Sequence, residues 1–199
     1  MRARVLGLLP LVGLLYLIGI LEGLEVIRQR RRRAERAPAA TEADRDPASY
    51  RLLALSWPAG LVALAAAACL PGFSVGHGWR RWCLLSGIGL TTLGIALRQW
   101  AIATLGRFFV GQVLVQPDQS VISAGPYRWL RHPSYTGYWL EMFGVGLGTG
   151  NASSALLCAL VPLVGILARI AGEERELSAG LSGYSDFARH RARLVPFVW

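Results

Sequence analysis

The sequence predicts an all-α integral membrane protein with about five transmembrane helices, its N-terminus outside, a cytoplasmic C-terminal helical segment and no Rossmann domain. Three observations carry that expectation. Hydrophobic residues make up 53% of the 199 residues, charged residues only 17%, and mean hydropathy is +0.40, too apolar for a soluble domain of this size. Five stretches approach the roughly 20 apolar residues that a helix needs to cross a bilayer. The arginines, finally, gather on one side of those stretches.

The first stretch runs over residues 5–27 and carries Glu22 and Glu25 at its end. Its start, Met1-Arg2-Ala3-Arg4 before an apolar run, is also how a signal peptide begins. No small-x-small cleavage site follows, however. Arg28 and the run Arg30-Arg31-Arg32-Arg33 follow instead and read as a stop-transfer signal. Residues 37–48, rich in Ala, Pro, Glu and Asp, form a linker. The second stretch, 52–70, contains Pro58, and the third, 82–105, contains Arg98. The fourth, 135–148, and the fifth, 152–168 with Pro162 inside, are short and joined by Thr149-Gly150-Asn151. They read as a helical hairpin, tilted or shielded by protein.

Orientation follows from charge. The net charge is +9, and all 21 basic residues are arginine. With loop 28–51 in the cytoplasm, 16 of the 21 arginines lie on that side, four lie outside and Arg98 lies within the membrane. This distribution explains a pI near 10.5 without a nucleic-acid partner. The run from Arg28 to Arg36 reads as a topology and membrane-lipid signal. An arginine-only, alanine-rich chain fits a GC-rich bacterial genome, hence a bacterial inner (plasma) membrane with its active site on the cytoplasmic side. Cys69, Cys83 and Cys158 are odd in number, lie in apolar stretches and lack metal-ligand spacing, so neither a metal site nor a disulfide framework is expected.

Three features could carry chemistry. The loop 106–135 ends in Gly125-Pro126-Tyr127, Arg131, His132, Pro133, Ser134 and Tyr135. Pro133 biases His132 away from helical geometry and suits the first turn of the next helix. His132 is therefore expected at the mouth of the fourth span, where free N–H groups and the helix dipole favour an anion. The same residues also fit an interfacial Tyr/Trp belt, and composition leaves both readings open. At the end of the fifth span, Arg169 and Glu173 are four apart and share a helix face; taken alone they read as a charged helix end with a surface ion pair. Arg98 and Glu141 lie within spans and are expected to pair across the bundle. The run Gly144-Val-Gly146-Leu-Gly148 imitates a dinucleotide fingerprint, but it lies inside a membrane span. It reads as close helix packing through small residues.

The stretch Gly125-Pro126-Tyr127, Arg131-His132-Pro133-Ser134-Tyr135-Thr136-Gly137 resembles the signature of the isoprenylcysteine carboxyl methyltransferase family. The tail is similar too, in Glu173-Glu174, Leu177, Tyr184, Phe187 and Arg193-Leu194-Val195-Pro196. The resemblance runs from about Arg98 to Trp199. It implies a methyltransferase core over 82–199, with S-adenosyl-L-methionine as cofactor; the two-span region over 1–81, read from hydropathy and its arginine-rich loop, carries no part of the signature. By that likeness Gln112, Gln119, Ser120, Val121, Ile122, Tyr127, His132, Pro133, Ser134, Tyr135 and Glu173 bind the cofactor. Arg169 holds the substrate carboxylate, and Arg169, Glu173 and His132 are the catalytic residues. The implied acceptor is an isoprenylcysteine-like or other lipid acid. N-methylation of a phospholipid headgroup stays open as an alternative, although an amine acceptor calls for a base rather than Arg169. An NADPH-dependent reductase of sterol type, and a non-enzymatic membrane scaffold, are weaker alternatives.

Overall fold

The computed structural model describes residues 73–109 and 119–196, together with residues 13, 17–21, 24, 28 and 62. Helix α1 (His77–Leu105) leads into a 3-10 turn at Gly106–Phe108. A second 3-10 turn, Gly125–Arg128, precedes α2 (Pro133–Gly148), α3 (Ala152–Gly180) and the short α4 (Tyr184–Arg189). Among the described residues there is no strand, only two isolated bridges, Ser74 with Asn151 and Leu130 with Ala192. The predicted spans 5–27 and 52–70 lie outside the described residues, apart from the isolated positions named above.

Two helical stretches, His77–Phe108 and Ala152–Gly180, are long and apolar enough to cross a membrane. At about 1.5 Å per residue, α1 and α3 each reach about 44 Å, beyond a hydrocarbon core of about 30 Å. α2, with 16 residues, is the short member of the hairpin. α3 continues helical to Gly180, past the expected end at 168. The apolar run stops where charge begins, but Ile170 and Leu177 still pack inward, so the helix has reason to continue. Asn151 caps its start, accepting from Ser154 N at 3.2 Å.

α2 packs against both α1 and α3. Glycines set how closely. A Cβ added at Gly94 would stand 2.6 Å from Glu141 N and from Gly137 O, and one at Gly137 would stand 2.7 Å from Arg98 N. On the other side, a Cβ at Gly146 would meet Cys158 Cβ at 2.7 Å. The glycine run in α2 therefore serves helix contact on two faces, as small residues do in bilayers. Arg98 and Glu141 are both buried along the α1–α2 contact. Arg98 donates to Ser134 O at 3.1 Å and lies over the Tyr138 ring at 5.3 Å.

Two apolar clusters result. The first joins Tyr138, Met142 and Val145 of α2 to Ile166 and Ile170 of α3, with Ile18 and Leu194 closing it. Ile18 ties the helical residues 17–21 of the first predicted span into this core. The second joins Ala101 of α1, Tyr127, Leu181, Tyr184 and Phe187, with Val121, Ile122 and Leu177 against it. Large apolar side chains that face outward, among them Trp82, Leu93, Leu156, Leu160 and Val164, give α1 and α3 the surface that lipid would cover.

Candidate active site

The segment entering α2 is shaped by Gly125, whose φ of 55° is left-handed and whose added Cβ would lie 2.6 Å from Thr104 Oγ1. The 3-10 turn that follows buries Tyr127 against Ala101. His132 then takes a non-helical backbone (φ −127°, ψ 56°) and Pro133 opens α2, as the sequence predicts. The C-terminal tail lies alongside this entry. Arg131 N donates to Ala192 O at 2.8 Å and His132 N to Arg193 O at 3.1 Å. Thr136 Oγ1 donates to Leu194 O at 2.8 Å, and Arg191 Nε to Tyr127 O at 2.9 Å. Residues 191–194 thus form a strap over the start of α2.

The end of α3 meets that start through two adjacent carboxylates. Glu173 Oε2 accepts from the Tyr135 hydroxyl at 2.8 Å, and the same hydroxyl accepts from Arg169 Nε at 3.3 Å. Arg169 and Glu173, four apart on one face, are therefore joined through a tyrosine of the neighbouring helix. Arg169 is only 5% exposed, which overturns its reading as part of a surface ion pair. Glu174, about 100° further round the helix, takes Arg131 Nη1 at 2.6 Å, Arg193 Nε at 3.0 Å and His132 Nε2 at 3.3 Å. The His132 and Tyr135 rings stack at 5.8 Å between centroids.

One expectation is corrected here. The N–H groups of Tyr135 and Thr136 at the start of α2 are not free for an anion, because both donate to His132 O at 3.1 Å. The charge beside this helix start comes from within the chain, as Glu174 on the His132 ring. The helix geometry explains the outcome: His132 is the residue before the first turn, and its carbonyl accepts the first intrahelical bonds.

Electrostatics follow burial. Burial, then the neighbouring Glu173, pushes the Tyr127 hydroxyl above its usual range. Burial, with Glu174 and Glu173 nearby, does the same for Tyr184. Both stay protonated hydrogen-bond donors at neutral pH. Glu174 lies beyond the apolar part of α3. Burial raises its pKa, but the His132 hydrogen bond and the charges of Arg131 and Arg193 outweigh burial and hold it below the ordinary carboxylate value. The Tyr184 hydroxyl is buried and has no hydrogen-bond partner among the described residues. A buried hydroxyl left without a partner costs about 1–3 kcal/mol, and this one lies near the charges of Glu174 and Glu173.

The structure brings together Tyr127, His132, Pro133, Ser134, Tyr135, Arg169 and Glu173. Val121 and Ile122 pack against the Tyr127–Tyr184 cluster as a lining segment. Ser120 is exposed and Gln119 half-buried at the start of that segment. Gln112 lies outside the described residues. Sequence reasoning gave no role to Glu174, Arg131, Arg191 or Arg193, which fasten the strap. The paired acids at 173–174 and the spaced arginines of the tail were the available signals. The bridge between Leu130 and Ala192 joins residues too far apart in sequence for spacing to disclose it.

The family model described as "Isoprenylcysteine carboxyl methyltransferase (ICMT) family" matches residues 87–179. Protein-S-isoprenylcysteine O-methyltransferase B of Arabidopsis thaliana is 31% identical over 120 residues, covering 59% of this chain and 61% of that protein. The protein YpbQ of Bacillus subtilis (strain 168) is 29% identical over 92 residues, covering 46% of this chain and 55% of that protein. The solved structure of the eukaryotic intramembrane Ras methyltransferase ICMT superposes with a TM-score of 0.58 at 26% identity, covering 77% of this chain and 54% of that one. The chain thus spans less than two thirds of the length of these relatives. Over residues 87–179 in sequence, and in fold, the chain is similar to the isoprenylcysteine carboxyl methyltransferase family.

Proposed function

We propose that the chain transfers a methyl group from S-adenosyl-L-methionine to the carboxylate of an isoprenylcysteine-like or other lipid acid, at the cytoplasmic face of a bacterial inner membrane. The observation that carries this reading is the buried Arg169 joined through Tyr135 to Glu173. It sets a cation for a carboxylate beside an anion for a cationic cofactor. The curated relatives' names as isoprenylcysteine O-methyltransferases support the same reading.

The residues present fit that cofactor. Glu173 offers a carboxylate, Tyr184 a hydroxyl without a partner among the described residues, and Tyr127 and Tyr135 aromatic walls. When bound, S-adenosylmethionine supplies a methyl group on a positively charged sulfur. Everything else falls to the chain. An ionised carboxylate is already nucleophilic, so catalysis rests on alignment and on excluding water. Arg169 orients the acceptor through charge-assisted bonds. Tyr135 fixes Arg169 and Glu173 relative to each other. His132, stacked on Tyr135 and tied to Glu174, holds the start of α2 against the strap and lines the pocket. No general base is required of the protein.

In this reading the core spans 82–199, Gln112, Gln119 and Ser120 complete the cofactor loop, and five spans leave the N-terminus outside. The acceptor enters from the bilayer and the cofactor from the cytoplasm; nucleic acid plays no part. The test is incubation of purified membranes with methyl-labelled S-adenosylmethionine and either prenylcysteine analogues or phospholipid amines. A base-labile methyl ester on the prenylcysteine is expected. Label held only in a base-stable form on the amine would overturn the carboxylate reading.

A further inference from the structure

The side of α3 turned away from Arg169 and Glu173 carries an opening. Ala171, Glu174, Arg175, Ser178, Ala179 and Arg193 line a groove of about 690 Å³. Residues 171, 174, 175 and 178 repeat at three- and four-residue spacing and share one face. At about 100° per residue, 171 and 175 each lie about 200° round the axis from 169 and 173. Ala171 and Arg175 thus face away from Arg169 and Glu173, Glu174 with its bond to His132 stands between the groove and the proposed methyl-transfer pocket, and the strap residue Arg193 forms one wall.

Its charge is positive. Glu174, the acid in the lining, is already engaged by Arg131, Arg193 and His132. The lining sets two arginines, Arg175 and Arg193, against that one carboxylate, an excess of one positive charge at the groove. Arg175 is exposed and bonds through Nε to Ala171 O at 3.0 Å, which lays its side chain along the lining. Ala171, Ser178 and Ala179 are small and leave the floor open, and Ser178 adds a hydroxyl.

Its depth is equally specific. α3 starts at Ala152. Roughly 20 residues of helix traverse the hydrocarbon core, which brings Ala171 to the boundary and residues 171–179 to the level of lipid headgroups. We infer that this groove is a binding site for a phosphate group, held by Arg175 and Arg193 with Ser178 as hydroxyl donor, and carried at that depth by a membrane phospholipid. The inference rests on α3 crossing the membrane and not on methyl transfer.

The test uses the full chain in an uncharged maltoside detergent, with dihexanoyl phosphatidylglycerol titrated calorimetrically. Saturable binding is expected. Arg175→Glu should weaken it about tenfold or more, and Ala179→Trp, which fills the groove at an exposed position, should do the same. Arg189→Glu makes the same charge change at an exposed site paired with Asp186 and should leave affinity within about twofold. Competition by inorganic phosphate would show that the phosphate group alone is recognised. Persistent lipid binding without such competition would assign the site to the headgroup, and either result upholds it. Non-saturating binding, equal weakening by Arg175→Glu and Arg189→Glu, or full affinity in Ala179→Trp would overturn it. The thermal melt of each variant in the same detergent reads folding separately from the groove.

Discussion

Tyr135 donates a 2.8 Å hydrogen bond to Glu173 Oε2, so the first turn of α2 is fixed to the end of α3 at the point where the site is built. A hydrogen bond to a charged group is worth about 1.5–3 kcal/mol. Tyr135→Phe keeps the ring stack on His132 but releases both Glu173 and Arg169. Methyl transfer is expected to fall by about one to two orders of magnitude in kcat/KM, read in steady-state assays with labelled donor. An unchanged kcat/KM would remove Tyr135 from the site.

Glu174 makes the fold acid-sensitive. Its carboxyl titrates below the ordinary value of 4.5, because the bonds to His132, Arg131 and Arg193 outweigh burial. A carboxyl with a lowered folded pKa stabilises the native state fully above the unfolded value, and that stability is lost as pH falls through the folded value. The melting temperature in detergent should therefore hold at neutral pH and drop as pH passes below 4.5. Glu174→Gln should melt lower at pH 7 and show a flatter acid limb. A variant curve parallel to wild type would mean that the three partners of Glu174 do not hold the strap.

Tyr184 separates ligand binding from stability. Its buried hydroxyl has no partner among the described residues. Tyr184→Phe should thus leave the ligand-free protein as stable or more stable, by up to about 1–3 kcal/mol. The same change should weaken S-adenosylhomocysteine binding. Thermal melts with and without that ligand measure both effects. Lower ligand-free stability with unchanged affinity would contradict the assignment.

The α1–α2 contact should tolerate no added side chain. Gly137→Ala places a methyl group 2.7 Å from two backbone atoms, Arg98 N and Gly94 O, which cannot turn away as a side-chain tip could. A loss of about 1–3 kcal/mol is expected, visible as a lower melting temperature in detergent. Gly89→Ala, in the same helix as Gly94 but with open space around it, should be neutral by the same measurement.

Much of this was legible in the sequence. Hydropathy located α1, α2 and α3, and Thr149-Gly150-Asn151 marked their hairpin. Pro133 fixed the start of α2 because its ring cannot continue a helix backwards through His132. The four-residue step from Arg169 to Glu173 put both on one face. The burial of Arg169 was not legible, since a charged helix end looks alike whether solvent or Tyr135 stands against it. The extension of α3 to Gly180 was missed because a hydropathy window measures lipid preference, not helicity. The Glu174 cluster was missed because it depends on residues 191–194 running beside 130–132, a pairing set by tertiary packing.

The central claim is that Arg169 orients a carboxylate acceptor. Its most direct test is methyl-ester formation on a prenylcysteine analogue by wild type, Arg169→Lys and Arg169→Ala, with S-adenosylhomocysteine affinity measured on the same preparations. The account predicts that Arg169→Ala loses about two orders of magnitude or more in kcat/KM, that Arg169→Lys recovers part of it, and that cofactor affinity stays within about threefold. Ester formation by Arg169→Ala at the wild-type rate, with cofactor bound, would contradict it.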